Sequence, residues 1–321
     1  MFKLGIVGLS RIAVKKVIPS IINESQFSIS AVATQSLGSN KLDIGKSLEY
    51  YQDYYDILEN PDIDGLYVSL PNNMHADYVM KCIQKKQNVL IEKPLCLSCF
   101  EASNIIKNYK NNIVIMEGFM YKYHPQWLET IKILRSGSIG KPISATINIS
   151  YICDDKKNIR YKKKLGGGAL YDIGIYCFSM AQLIFQQNPI NAFGNQTLCA
   201  QTKVDLTNSG TIEFQNGKVS FFASIVHDRQ NYVNIKCEYG SVTLHKALNP
   251  DLGGMAHITI DNRGKSIELN TPNCNQFKEE LFQFKEKCEK REFSLDMNGT
   301  LNNIKAVDYF QTNSEKKYVK N

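Results

Sequence analysis

Apolar residues in the first 120 positions fall into short continuous runs separated by stretches at helical spacing. Leu4-Gly5-Ile6-Val7 ends at Gly8, and residues 11–22 then carry Ile12, Ala13, Val17 and Ile21 on one helical face. A strand therefore feeds a helix through a tight turn. Residues 27–33 form the next β-rich run, and 66–70 follow the turn signal Asn60-Pro61-Asp62. Pro71-Asn72-Asn73 opens a helix over 75–86, and 88–91 and 113–116 read as two further strands. Strands alternating with helices predict a parallel sheet covered on both faces, an α/β Rossmann-type domain.

After Lys141-Pro142 the pattern changes to strands over 143–151, 211–215, 218–226, 232–239, 241–244 and 257–261, with turn signals at Asn216-Gly217 and Gly240. Helices are expected over 275–290 and 301–312. A third helix opens at Gly166-Gly167-Gly168, with an apolar stripe through Leu170, Ile173, Cys177, Met180 and Ile184. This second half is expected to be an α+β domain with a mainly antiparallel, open-faced sheet. The boundary is placed between 1–122 and 123–321.

The composition, 43% hydrophobic and 21% charged with 17 Tyr, 15 Phe and 1 Trp, is that of a globular chain and excludes disorder or collagen-like repeats. No stretch offers the roughly 18 uninterrupted apolar residues of a membrane helix, and the amino terminus enters a strand at once. A soluble, cytoplasmic protein is expected, without a membrane partner. The net charge of +7 is spread along the chain, unlike that of a nucleic-acid binder. One run is denser: Lys156, Lys157, Arg160, Lys162, Lys163 and Lys164. It reads as a solvated loop or as a site for an acidic ligand. Nine cysteines without regular spacing read as reduced thiols, and the lone pair Cys96 and Cys99 reads as packing, so no metal is expected.

The turn Gly8-Leu9-Ser10-Arg11-Ile12-Ala13 stands where a dinucleotide-binding fingerprint belongs, with Ser10 in place of the second glycine. Its hydroxyl is suited to donate to a phosphate. At the tip of the second strand, Thr34-Gln35-Ser36 and Lys41 offer no carboxylate for a ribose 2′-hydroxyl, which points to NADP, with NAD as the alternative. Glu92-Lys93-Pro94 ends a buried strand with a lysine fixed by proline at the carboxyl edge of the sheet, where such sheets bind ligands. Asp172 and Tyr176 lie four apart, off the apolar stripe, as a functional pair or as an exposed polar flank.

With Leu70-Pro71-Asn72-Asn73-Met74-His75 and the stretch from Glu117 to Gln126, these segments resemble the Gfo/Idh/MocA oxidoreductases over nearly the whole chain. The resemblance implies that Lys93 is the catalytic lysine, that Asp172 binds and positions substrate, and that Tyr176 takes the acid/base place. Tyrosine there is typical of the branch of glucose–fructose oxidoreductase, the dihydrodiol dehydrogenases and the sugar ketoreductases. It further implies a cofactor set of Gly8, Ser10, Arg11, Ile12, Thr34, Gln35, Ser36, Ser69, Leu70, Pro71, Asn72, His75, Glu92, Lys93, Lys122 and Arg160. Tyr123 joins Lys93, Asp172 and Tyr176 as substrate contacts, Lys93-Pro94 is expected to be cis, and the sheet of the second domain to join copies into a homodimer or homotetramer. Ser10, Gln35 and Lys122 depart from the family's usual residues.

The expected reaction is hydride transfer between nicotinamide and a carbonyl or alcohol carbon of a sugar-like substrate. Lys93 or Tyr176 is the proton-transfer group, since a cation beside a phenol stabilises phenolate. Rival readings are a non-catalytic dinucleotide sensor and a dihydrodiol or inositol dehydrogenase. His75 and His124 fall within the family motifs and read either as site-lining or as structural residues, while His227, His245 and His257 read as ordinary sheet residues. Lys162, Lys163 and Lys164, leading into the glycine run, point to a nucleotide-linked keto-sugar whose diphosphate they would meet.

Overall fold

The computed structural model describes residues 1–35, 48–250, 255–295 and 297–320. The chain forms two units, Met1–Met120 with Asn275–Met297, and Tyr121–Cys274 with Asn298–Asn321. The first is built on six parallel strands: β1 (Phe2–Val7), β2 (Phe27–Ala33), β3 (Glu49–Tyr51), β4 (Gly65–Val68), β5 (Val89–Glu92) and β6 (Ile115–Gly118). Their order is β3-β2-β1-β4-β5-β6. The direction of winding reverses about β1, so the crevice of the sheet opens outside the carboxyl ends of β1 and β4. The strands read as continuous apolar runs because both faces are covered: all four residues of β4 are buried, and Leu4, Ile6, Val7 and Ile91 expose nothing.

The helix expected over 11–22 is present but not regular. After an α-helical start at Arg11 and Ile12 it widens to a π turn over Ala13–Val17 and returns to α-helix at Ile18–Ile21 (α1). Pro19 explains the widening, since it has no N–H to give and its ring crowds the carbonyl four residues earlier. Helices α2 (His75–Lys85) and α3 (Cys99–Asn108) follow, the latter capped by Ser98 Oγ, which accepts from the Glu101 amide at 3.2 Å.

The segment Asn275–Met297, placed by its sequence position in the second domain, packs with the first unit. The physical reason is aromatic. Phe2 and Phe27 stand at the amino ends of β1 and β2, and α6 (Gln276–Glu289) covers them: Phe284 meets Phe2 edge-on at 6.0 Å and Phe282 meets Phe27 at 5.1 Å. Lys278 Nζ also reaches Glu24 at 2.5 Å.

The second unit contains α4 (Pro125–Ser136), β7 (Pro142–Ile152), α5 (Ile175–Phe185), β8 (Asn191–Cys199), β9 (Asp205–Phe214), β10 (Gly217–Ser224), β11 (Val226–Cys237), β12 (Gly240–Leu244), β13 (Ala256–Asn262), β14 (Lys265–Thr271), α7 (Met297–Asn313) and β15 (Glu315–Val319). The nine strands run β14-β13-β12-β11-β7-β10-β9-β8-β15, antiparallel except at β7/β10 and β8/β15. Alternation sets the two faces. Ala145, Val219, Val233 and Ile235 are buried, whereas Thr146, Ser220, Tyr232 and Lys236 face solvent. On the buried side Phe178 of α5 meets Phe221 at 5.1 Å, and Phe310 of α7 meets Phe221 at 5.0 Å. The helical stretch Lys163–Phe185 is long and apolar enough to cross a membrane, but 78% of its most apolar window is buried inside the protein, as in a core helix.

Phe284 is fully buried, so Phe284→Ala is expected to destabilise the first unit by about 3–5 kcal/mol and to free α6. Chemical denaturation combined with amide exchange over residues 276–289 measures both effects.

Candidate active site

In the first unit, the polar residues singled out by sequence gather at the carboxyl edge of the parallel sheet. Gly8 follows β1 with φ +83°, and a Cβ there would lie 3.1 Å from the Ser69 carbonyl oxygen and 3.2 Å from the Leu70 side chain. Only glycine suits this conformation and this approach of two strand ends. Ser69 Oγ donates to Gly8 O at 2.9 Å, locking the turn after β1 to the turn after β4. Ser10 Oγ accepts from the Ala13 amide at 3.2 Å, acting as the helix cap while keeping its own hydrogen to donate. A bare turn at a helix amino end suits a pyrophosphate, so these residues fit a dinucleotide. Thr34 is buried at the end of β2 and Gln35 is exposed; Ser36 and Lys41 lie outside the described residues. Arg11 is exposed, and Ile12, Pro71 and Asn72 are half-buried.

Lys93 follows β5 on a frame held at three points. Lys93-Pro94 is cis. Glu92 accepts from the buried Tyr67 hydroxyl at 2.6 Å, Leu95 N donates to Glu117 Oε1 at 2.8 Å, and Pro94 O lies 2.7 Å from His75 Nδ1. The other ring nitrogen of His75 is 2.8 Å from Leu70 O. His75 therefore does not line the site as its motif suggested. It is fully buried, with both ring nitrogens occupied by backbone, and it ties the turn after β4 to the loop that carries Lys93.

In the second unit Asp172 and Tyr176 are not an exposed flank. The helix begins as a π turn over Leu170–Gly174 before α5, a widening common at functional sites. Asp172 Oδ2 accepts from Tyr151 Oη at 2.5 Å and from Arg160 Nε at 2.7 Å. Arg160, expected beside the cofactor, commits its Nε to Asp172. Its place is fixed by its own carbonyl, which accepts from the Gly168 amide at 2.9 Å. With the Asp172 side chain 14% exposed, charge-assisted hydrogen bonds here are worth about 1.5–3 kcal/mol each, more than a surface pair. Burial, and next the Asp172 charge, pushes the Tyr151 pKa up, so its phenol stays a donor. Burial acts to lower the Arg160 pKa, but Asp172 outweighs it and the guanidinium stays charged. Tyr176 is 6% exposed and packs edge-on against Tyr121 at 6.1 Å, whose hydroxyl is 2.8 Å from Ser179 Oγ.

Tyr151 and Tyr121 were not singled out by sequence. Tyr151 closes an expected strand with nothing local to mark it. Tyr121 lies inside the Glu117–Gln126 stretch, where the motif was the only signal. Lys162, Lys163 and Lys164 are exposed on a short 3-10 turn, whereas Lys156 is engaged by the Tyr161 ring at 4.6 Å. Lys122 and Tyr123 are half-buried; Lys122 lines an open groove of about 580 Å³ with Trp127, Leu128, Lys132 and Arg135. Among the described residues no group of three His, Cys, Asp or Glu is placed to hold a metal ion.

The first unit has the doubly wound sheet and glycine turn of a dinucleotide-binding domain, and the comparisons with known proteins give the class, a nicotinamide-dependent oxidoreductase acting on CH–OH or C=O groups. Residues 2–118 match the oxidoreductase family with NAD-binding Rossmann fold, and residues 127–243 match the Gfo/Idh/MocA C-terminal domain. An uncharacterized oxidoreductase, ORF334 of Rhizobium meliloti, is 30% identical over 272 residues, covering 83% of this chain and 80% of that protein. The chain belongs to the Gfo/Idh/MocA oxidoreductase family. A dTDP-3,4-didehydro-2,6-dideoxy-alpha-D-glucose 3-reductase of Saccharopolyspora spinosa is 27% identical, covering 88% of this chain and 86% of that protein. D-xylose 1-dehydrogenase (NADP(+)) 2 of Haloferax volcanii is 27% identical over 97% of both chains. The fold matches KijD10, a 3-ketoreductase from Actinomadura kijaniata solved with NADP and TDP-benzene, at TM-score 0.88 with 22% identity and 99% of both chains covered.

His124 is also buried, 2% exposed, and does not line the site: its Nδ1 accepts from the Gln126 amide at 3.1 Å as the cap of α4. Burial lowers its pKa from 6.5 to about 4. The unfolded chain binds the proton first on acidification, so the stability contributed by the neutral ring is complete above pH 6.5 and is lost as pH falls towards 4. Thermal unfolding of the second unit should weaken across that window, and His124→Asn, which keeps a cap acceptor, should flatten the loss.

Proposed function

We propose that this oxidoreductase reduces the keto group of a nucleotide-linked sugar with NADPH. The carrying observation is the exposed Lys162-Lys163-Lys164 turn, which leads without interruption through Gly166-Gly167-Gly168 into the helix bearing Asp172 and Tyr176. Three unburied cations there suit the diphosphate of such a substrate. The dTDP-keto-sugar reductase relative supports this class. NADP is preferred over NAD because Thr34 and Gln35 provide no carboxylate at the end of β2, and the xylose dehydrogenase relative names NADP(+).

When bound, the dinucleotide supplies or accepts the hydride at nicotinamide C4. Tyr176 is the group that gives the proton to the carbonyl oxygen, with Lys93 as the alternative donor. Asp172, oriented by Tyr151 and Arg160, binds a neighbouring sugar hydroxyl. Solved KijD10 structures include variants in which a lysine and a tyrosine are replaced, the residue types of Lys93 and Tyr176. The protein works with reduced thiols, all nine cysteines being free, as suits the cytoplasm. Its copies associate through the solvent-facing Thr146, Ser220 and Tyr232 side of the sheet, which sedimentation of a Tyr232→Glu variant tests.

A second reading, oxidation of a free aldose with NADP, is favoured by the full-length likeness to the xylose dehydrogenase. NADPH oxidation with a dTDP-linked 3-keto-6-deoxy sugar, set against NADP reduction with D-xylose, separates the two. Turnover of D-xylose alone sinks the nucleotide-sugar reading. With the active substrate, Tyr176→Phe should lower kcat by about 10²–10⁴-fold, and retained activity would pass the proton to Lys93. Replacing Lys162, Lys163 and Lys164 with Ser should raise KM for the nucleotide sugar with kcat held, the sign of lost uniform binding.

A further inference from the structure

We propose that Asp205 is a positioning residue whose carboxylate pins the amino end of the helix on which Asp172 and Tyr176 stand. Asp205 opens β9, two strands away from the Tyr151 strand. Its Oδ2 accepts from the Leu170 amide at 2.6 Å, at the first turn of that helix. A carboxylate in this place satisfies an orphan helix N–H and meets the positive end of the helix dipole. The glycine run is shaped around it. Gly168 has φ +120°, and a Cβ added there would lie 2.1 Å from Asp205 Oδ1, so the carboxylate fills the space that a side chain at 168 would need.

The anchor is itself anchored. Asn208 Nδ2 donates to Asp205 Oδ2 at 2.6 Å, and Gln196 Nε2 donates to Asn208 Oδ1 at 2.9 Å. Gln196 and Asn208 are directly opposite on β8 and β9 and are 4% and 0% exposed. A polar relay thus crosses two strands and ends on the helix that carries Asp172 two residues, and Tyr176 six residues, beyond Leu170. Burial raises the Asp205 pKa, and the hydrogen bonds from Asn208 and the Leu170 amide act against that rise.

The inference rests on the reading of Asp172 and Tyr176 as the site's residues, and its test separates the two. Asp205→Asn keeps size and removes charge; Asn208→Ala removes the supporting donor and serves if the first variant folds poorly. Amide exchange of the full chain with NADP bound should rise at residues 169–176 in both variants and stay unchanged at the first unit's sheet. With the keto-sugar substrate, kcat should fall on the order of 10- to 100-fold, as small misplacements do, with NADP affinity and Tm held. Unchanged exchange at 169–176 overturns the anchor. So does unchanged kcat in Asp205→Asn while Tyr176→Phe is inactive, and so does a general loss of Tm matched to the loss of kcat. If Tyr176→Phe stays active, the failure is that of the site assignment, and exchange alone still decides for or against Asp205.

Discussion

In the second unit two donors from distant parts of the chain converge on a single carboxylate oxygen. Asp172 Oδ2 is shared between the Tyr151 hydroxyl and Arg160 Nε, and it is too withdrawn from water to be left with either donor missing. Each donor comes from a different part of the chain: Tyr151 from the end of β7, Arg160 from the loop after it. The loop reaches Asp172 because the Gly168 amide is bonded to the Arg160 carbonyl, so backbone and side chain of one arginine hold both ends of the same turn. A helix that begins as a π turn then presents the carboxylate and the phenol together.

The first unit solves a different problem with the same economy of contacts. Its strands bury both faces, and the turns at their carboxyl ends are tied together by polar links. Ser69 binding Gly8 O and His75 bridging Leu70 and Pro94 are short links between neighbouring strand ends. They give the crevice a rigid floor. Lys93 inherits that rigidity through its neighbours.

The fold was legible where burial is complete. The apolar runs of β1, β2, β4, β5 and β6 and the apolar helix α5 are conspicuous because these positions are enclosed on both sides. What was not legible lies largely at sheet edges, although the interior strand β8 and the helices α3 and α4 also escaped the pattern. β3 has three residues, β14 is exposed along most of its length and β15 reads Glu-Lys-Lys-Tyr-Val, so none needs a hydrophobic pattern to hold its place. The site divided in the same way. Gly8, Lys93, Asp172 and Tyr176 sit in recognisable local strings, whereas Tyr151, Asp205 and Tyr121 act across 21 to 55 positions, on Asp172, Leu170 and Tyr176 respectively, and no local string encodes that. The two motif histidines could not be told apart from lining residues by sequence, because their backbone partners, Leu70 and Pro94 for His75 and the start of α4 for His124, show only in the fold.

The return of Asn275–Met297 to the first unit bears on how the chain is made. During synthesis the six-stranded sheet is complete by Gly118, yet Phe2 and Phe27 still lack their cover, which emerges from the ribosome more than 150 residues later. Throughout that interval the nascent dinucleotide-binding half carries an uncovered aromatic patch while the whole of the nine-stranded sheet except its last strand is being made. A fragment cut at the apparent boundary would keep that patch permanently, and would be a client for chaperones rather than an autonomous domain.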